Sequence, residues 1–250
     1  MVTYCRAAFL GFLVLALIGC LAPAALAGTV TARLNDPPSD NTMDGIYVGP
    51  YSAINTQTGG AMTVTCDDFA DTSNYSTSSY TINTLSSLGS TLWGAQLLKA
   101  GDTMSQITAL YEQAAWLDLG MMQVSGTTQA YYSFALWAVF DATDVLNWLK
   151  GYHDFAACNA VFGAGNNCNS TTITQGGLLA SAQQNYASGN YSNLLILTPI
   201  GCGPTGCPEQ EFLEFVQVPE GGTALLYLGL TGLVMGAALR YTRRRAAAAA

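Results

Sequence analysis

Two uncharged apolar runs, one near each end, constrain this chain more than any other feature. Residues 7–19 (AAFLGFLVLALIG) follow a lone Arg6 and lead to Ala25-Leu26-Ala27. A thin positive region, an apolar run and a small-x-small tripeptide make residues 1–27 an export signal, cut before Gly28. At the other end, residues 223–239 carry no charge. As a helix they would span roughly 26 Å, slightly less than a ~30 Å hydrocarbon core. Snorkelling Arg240 and interfacial Tyr241 can cover that deficit. Arg243, Arg244 and Arg245 then stay on the cytoplasmic side. Residues 28–217 are left between the two runs as an extracytoplasmic domain, enough for one substantial core.

A second cut point is open at the front. Leu17-Ile18-Gly19-Cys20 resembles a bacterial lipobox, in which Cys20 would be the lipidated N-terminus.

Charge excludes one class of partner. Within 28–217 only Arg33, Lys99 and Lys150 stand against fifteen Asp and Glu residues. A polyanion would be repelled, so nucleic acid is not an expected partner. Cysteine use fits the exported setting, where disulfides are the default. Of the seven cysteines, Cys5 and Cys20 fall in the signal, and Cys66, Cys158, Cys168, Cys202 and Cys207 remain. Short loops favour Cys158 with Cys168 and Cys202 with Cys207, leaving Cys66 unpaired. Closing the first loop would contribute about 2–3 kcal/mol. Five cysteines leave other pairings open.

The domain reads as strands, then helices, then strands. TVTARL, GIYVGPYSAI and AMTVTCDDF are short β-favouring runs, separated by a break at Asp36-Pro37-Pro38 and a turn over residues 55–60. Residues 72–90, rich in Ser, Thr and Asn, read as a loop around a strand. Residues 104–119 place Ile107, Leu110, Ala114 and Leu117 at helical spacing, with Thr103 as N-cap. Residues 128–141 are apolar nearly all round, as in a buried helix. Residues 174–187 form a third helix, and NLLILTP and EFLEFVQV return to strand character. The expected class is α+β: an antiparallel sheet with a central group of about three helices, flanked by the signal peptide and a transmembrane helix.

The tail carries a family resemblance. Val218-Pro219-Glu220, the apolar run and the arginine cluster resemble the PEP-CTERM sorting signal of bacterial exported proteins, over residues 218–245, before the alanines at 246–250. The resemblance implies a membrane-embedded exosortase, a cysteine transpeptidase that recognises the motif and processes the tail. Gly221 stands where the family has its second proline. Signal peptidase, an exosortase-type enzyme, the membrane and, through the family, extracellular polysaccharide are the implied partners. The implied location is membrane-anchored first, then cell surface or extracellular.

The body resembles the thioester domains of bacterial surface adhesins, through VTCDDF, YEQAAWL and SFALWAVFD. In those domains a cysteine and a glutamine form an acyl thioester that captures an amine on a partner. The resemblance implies Cys66 as the cysteine. Aligning Ala135-Leu136-Trp137 with the family's Ala-Ile-Trp puts Ser133 where the glutamine belongs. Gln129 lies four residues earlier, one helical turn away, and Gln113 precedes Ala114-Ala115-Trp116 as a second candidate.

Other chemistry is thin. His153 is the only histidine, so a triad-like hydrolase would have to use it, in the segment GYHDF. Asp67, Asp68 and Asp71, or Asp36, Asp40 and Asp44, could contribute to a calcium site, but neither run has EF-hand spacing, and a solvated acidic face is the plainer reading. Trp93, Trp116, Trp137 and Trp148 read as core. The expectation is a non-enzymatic structural or adhesive surface protein without cofactor or metal, with covalent thioester capture as the alternative.

Overall fold

The computed structural model describes residues 28–35, 42–69, 75–163, 177–201, 209–216, and 231, 232, 234 and 235. Among these are eight strands: β1 (Gly28–Leu34), β2 (Thr42–Met43), β3 (Ile46–Tyr47), β4 (Tyr51–Asn55), β5 (Ala61–Cys66), β6 (Thr77–Asn83), β7 (Leu194–Pro199) and β8 (Phe212–Phe215). Five α-helices lie between β6 and β7: α1 (Leu92–Ala100), α2 (Met104–Met121), α3 (Thr127–Gly151), α4 (Phe155–Phe162) and α5 (Gly177–Asn185). The chain divides into two compact units, 1–214 and 215–250.

The α+β class holds, and the sheet goes further than expected. It closes into a barrel in the order β1-β4-β5-β8-β7-β6, with every registered pair antiparallel. Closure leaves no sheet edge to protect, which suits strands of only four to seven residues. Alternation sorts the side chains. Val30, Ala32, Ala53, Val64, Cys66, Tyr80, Leu197 and Phe212 form one buried cluster in the lumen. Phe212 meets Tyr51 and Tyr80 there, edge to face, with ring centroids 6.3 and 5.8 Å apart. Residues of opposite parity on the same strands, Thr65, Ile196, Thr198 and Leu213, are also buried. Strand β7, the start of β8 and the end of β5 are therefore covered on both faces.

The helices make the second layer. Helix α2 starts on a capping box: Thr103 accepts from the Gln106 backbone N–H, and the Gln106 side chain accepts from the Thr103 N–H. Its buried residues include Ile107, Tyr111, Ala114, Leu117, Asp118 and Met121. Helix α3 reaches residue 151, ten residues beyond the apolar run that announced it, because it turns at Asp141 (φ −136°, ψ 68°). The Asp141 carboxylate accepts from the Asp144 N–H at 3.1 Å and so restarts the helix as an N-cap does.

Two helices were not anticipated. Helix α1 carries Gly94 in its first turn, and the reason is contact: a β-carbon there would lie 1.8 Å from the Leu88 carbonyl oxygen. Helix α4 includes Cys158 and the start of the short loop expected between it and Cys168, and is capped by Asp154 accepting from the Ala157 N–H at 2.8 Å. The helical group thus has five members rather than three. In the second unit, residues 231, 232, 234 and 235 are helical and exposed. The rest of the apolar run 223–239, the sorting motif 218–221, Arg240, Arg243, Arg244 and Arg245, and the signal 1–27 lie outside the described residues. Among the described residues no helix is long and apolar enough to cross a membrane.

Candidate functional site

The chemistry-bearing side chains converge where β5 and β8 meet the helices. Strand β5 ends in Thr65-Cys66 and Asp67 follows it, and alternation turns Cys66 into the lumen while Thr65 and Asp67 have the opposite parity. Cys66 is fully buried and free of any disulfide. Its thiol donates to the Asp68 carbonyl oxygen at 2.8 Å and accepts from the Asp68 N–H at 3.3 Å. Burial, and then the Asp67 and Asp68 carboxyls, push this thiol well above its ordinary pKa. The sulfur is therefore held as a neutral thiol rather than as the thiolate that nucleophilic chemistry needs.

The Ala135-Leu136-Trp137 stretch of α3 does reach this strand. The Trp137 indole N–H donates to the Cys66 carbonyl oxygen at 2.9 Å. Ser133, one turn earlier, is buried and faces the Gly49 carbonyl oxygen at 3.4 Å. Gln129 is occupied elsewhere: its amide donates to the Met121 and Val124 carbonyl oxygens, both at 3.2 Å, and ties the α2–α3 connection. Gln113 is buried on α2.

Around Cys66 lies a buried acidic group that the sequence did not announce. Asp67 and Asp68 are core residues and not a solvated acidic face. Glu211, just before β8, accepts from the Tyr111 hydroxyl at 2.5 Å, the Thr198 hydroxyl at 2.5 Å and the Leu92 N–H at 2.7 Å. Asp118 on α2 accepts from the Thr65 hydroxyl at 2.6 Å. Burial raises the Asp118 carboxyl to about 7, against the pull of that hydrogen bond. Burial also raises Asp67 strongly, followed by the charges of Glu211 and Asp68. Glu211 is raised by burial too, while its three donors pull the other way. One signal for this group was available. In Glu211-Phe212-Leu213-Glu214, either parity of a strand buries an acid once both faces are covered.

The remaining candidates separate. His153 takes a left-handed conformation (φ 57°) just after α3, its N–H donating to the Lys150 carbonyl oxygen and the next N–H, of Asp154, to that of Leu149. That is a helix-ending arrangement, which gives the residue a structural role. Cys158 is buried in α4 and disulfide-bonded, with its partner outside the described residues, as are Cys168, Cys202 and Cys207. Asp36, Asp40 and Asp71 are outside them as well. Among the described residues no group of three His, Cys, Asp or Glu side chains is arranged to hold a metal. Trp137 is buried, whereas Trp93, Trp116 and Trp148 are half-buried. No family model, curated protein or solved structure matches the chain.

Proposed function

We propose that this chain is an exported bacterial surface or extracellular-matrix protein with a non-enzymatic structural or adhesive role, delivered through a PEP-CTERM-like tail. The observation that carries the reading is the order of parts in residues 218–245: Val218-Pro219-Glu220, an uncharged run, then Arg243-Arg244-Arg245. The signal peptide brings the domain across the membrane, and the apolar run holds it there. Glu220 lies just above the run, within reach of a membrane-embedded sorting enzyme. The body supports a non-enzymatic role through its polar chemistry, which is packed inside: Cys66, Asp67, Asp118 and Glu211 all have no exposed surface. Adhesion has a surface to use. Tyr47 and Tyr152 are about half exposed, and a β-carbon at Gly45 would meet the Tyr152 hydroxyl at 2.8 Å, so the β2–β3 turn and the end of α3 form one face.

The test is fractionation in the native host with a tag placed after residue 27. Pro219→Ala with Glu220→Ala is expected to leave export intact and to accumulate a full-length, membrane-embedded chain. Wild type is expected to lose the tail. If both keep it and stay in the membrane, the run is an ordinary anchor.

A second reading is favoured by the Trp137–Cys66 contact, which joins VTCDDF and SFALWAVFD, two of the three stretches that resemble a thioester domain. Covalent capture would require Gln129 to leave the Met121 and Val124 carbonyls and reach Cys66. Intact mass decides it, because thioester formation releases one ammonia, about 17 Da, and protects the thiol from alkylation.

A further inference from the structure

Asp67 is completely buried, and neither of its carboxyl oxygens has a hydrogen-bond donor of its own. Its side chain meets that of Glu211, which is equally buried. Glu211 has the opposite surroundings, with three donors on its two oxygens: Tyr111, Thr198 and the Leu92 N–H. Three donors favour the ionised form of a carboxyl. Two carboxylates side by side without solvent exposure repel each other and lose their bulk hydration together, which favours one of them keeping its proton. The donors decide which. Glu211 is already satisfied as an anion, so the proton rests on Asp67 and is directed at Glu211.

We propose that Asp67 and Glu211 hold a single proton between them at neutral pH, and that this proton latches the helical layer to the barrel so that alkaline pH loosens the seam. The placement gives the latch its reach. Asp67 continues β5, its N–H donating to the Glu211 carbonyl oxygen at 3.3 Å. Its own carbonyl oxygen accepts from the Trp93 indole on α1 at 3.2 Å. Glu211 binds α1 through Leu92, α2 through Tyr111 and β7 through Thr198. Among the described residues the titratable groups facing Asp67 are Glu211, Asp68, Cys66 and Tyr111, and none of these is a base that could stabilise a second negative charge.

The direction follows from linkage. Asp67 is raised in the folded chain, so its stabilising contribution is complete below the ordinary carboxyl range and is lost as pH rises through the folded value. The proton leaves to a solvent base, and the pair becomes two facing anions.

The experiment uses the full chain in detergent, in an Asp118→Asn background that removes the third acid with no exposed surface among the described residues. Infrared spectroscopy at pH 7 should show the C=O stretch of a protonated carboxylic acid, and Asp67→Asn should abolish it. The melting temperature of the Asp118→Asn chain should fall between pH 5 and 8.5 by at least about 3 °C more than that of the double variant. If Asp67→Asn does not fold, titrating the infrared band in the Asp118→Asn chain still decides. No protonated band at pH 7 overturns the shared proton, and equal slopes with and without Asp67 overturn the latch.

Discussion

The barrel lumen and the seam behind it are equally dry but built from different materials. The lumen is filled by Val30, Val64, Tyr80, Leu197 and Phe212, and Cys66 sits among them as a neutral thiol. The seam, on the opposite face of the same strands and at their ends, holds Thr65, Asp67, Thr198 and Glu211 against Tyr111 and Asp118. Burial in the lumen stabilises through area removed from water, at roughly 25 cal/mol per Å², without regard to pH. Burial in the seam stabilises only where donors and acceptors match and where protons sit on the right atoms. One strand thus carries two kinds of cohesion on its two faces.

The largest effect should come from removing the acceptor that gathers the seam. Glu211→Ala leaves the Tyr111 and Thr198 hydroxyls and the Leu92 N–H without their partner. At about 1–3 kcal/mol for each of the three groups, a loss of roughly 3–9 kcal/mol is expected in urea unfolding at pH 7. A cost below about 1 kcal/mol would show that water enters the seam freely and that the contrast with the lumen is false.

Next in size is the lumen. Phe212→Ala removes the ring that touches both Tyr51 and Tyr80, and should cost about 3–5 kcal/mol. Its diagnostic property is flatness, since the same cost should be measured at pH 5 and pH 8. A pH-dependent cost would mean that lumen and seam do not act independently.

Asp118 offers a titration of the seam alone. Its carboxyl ordinarily titrates near 3.8 and is raised to about 7 in the fold. A raised acid contributes fully below 3.8, and that contribution drains away as pH climbs to about 7, with no further loss above. Asp118→Asn should remove this slope. The gap between wild type and variant should change by roughly 2–4 kcal/mol between pH 4 and pH 8, with wild type relatively weaker at the high end. Unfolding curves at three pH values measure it, and parallel profiles would exclude Asp118 as a titrating group.

How much of this was legible in the sequence follows the same division. Helical spacing announced α2 and the first half of α3, because an apolar face repeats visibly along one segment. Barrel closure was not legible, since it depends on pairing β8 with β5 and β7 with β6 across more than a hundred residues of intervening chain. Helix α1 was hidden by Gly94, a residue that weakens a helix in isolation and is present here for its contact with Leu88. The seam was hidden for a related reason. Asp67 and Asp68 look like surface acids until a second layer is known to cover β5, and Glu211 finds its donors on three distant elements. Residues that mark local geometry can be read one segment at a time, whereas residues that join layers cannot.

The smallest prediction sets the baseline for the others. Thr103 and Gln106 form a reciprocal cap at the exposed start of α2, with the Gln106 N–H donating to Thr103 Oγ1 at 3.4 Å and the Thr103 N–H to Gln106 Oε1 at 2.8 Å. Thr103→Ala removes one half of that exchange, and water can replace much of it, so the cost should be about 1 kcal/mol. Neither side chain titrates in the ordinary range, so the cost should be the same at pH 5 and pH 8. The cap is read from the sequence as easily as any feature of this chain, yet it should matter least. If Thr103→Ala costs as much as Phe212→Ala, then α2 is held mainly by its own start rather than by the seam. In that case Glu211 and Asp118 would be passengers on a helix fixed elsewhere, and unfolding curves of the two variants side by side distinguish these outcomes.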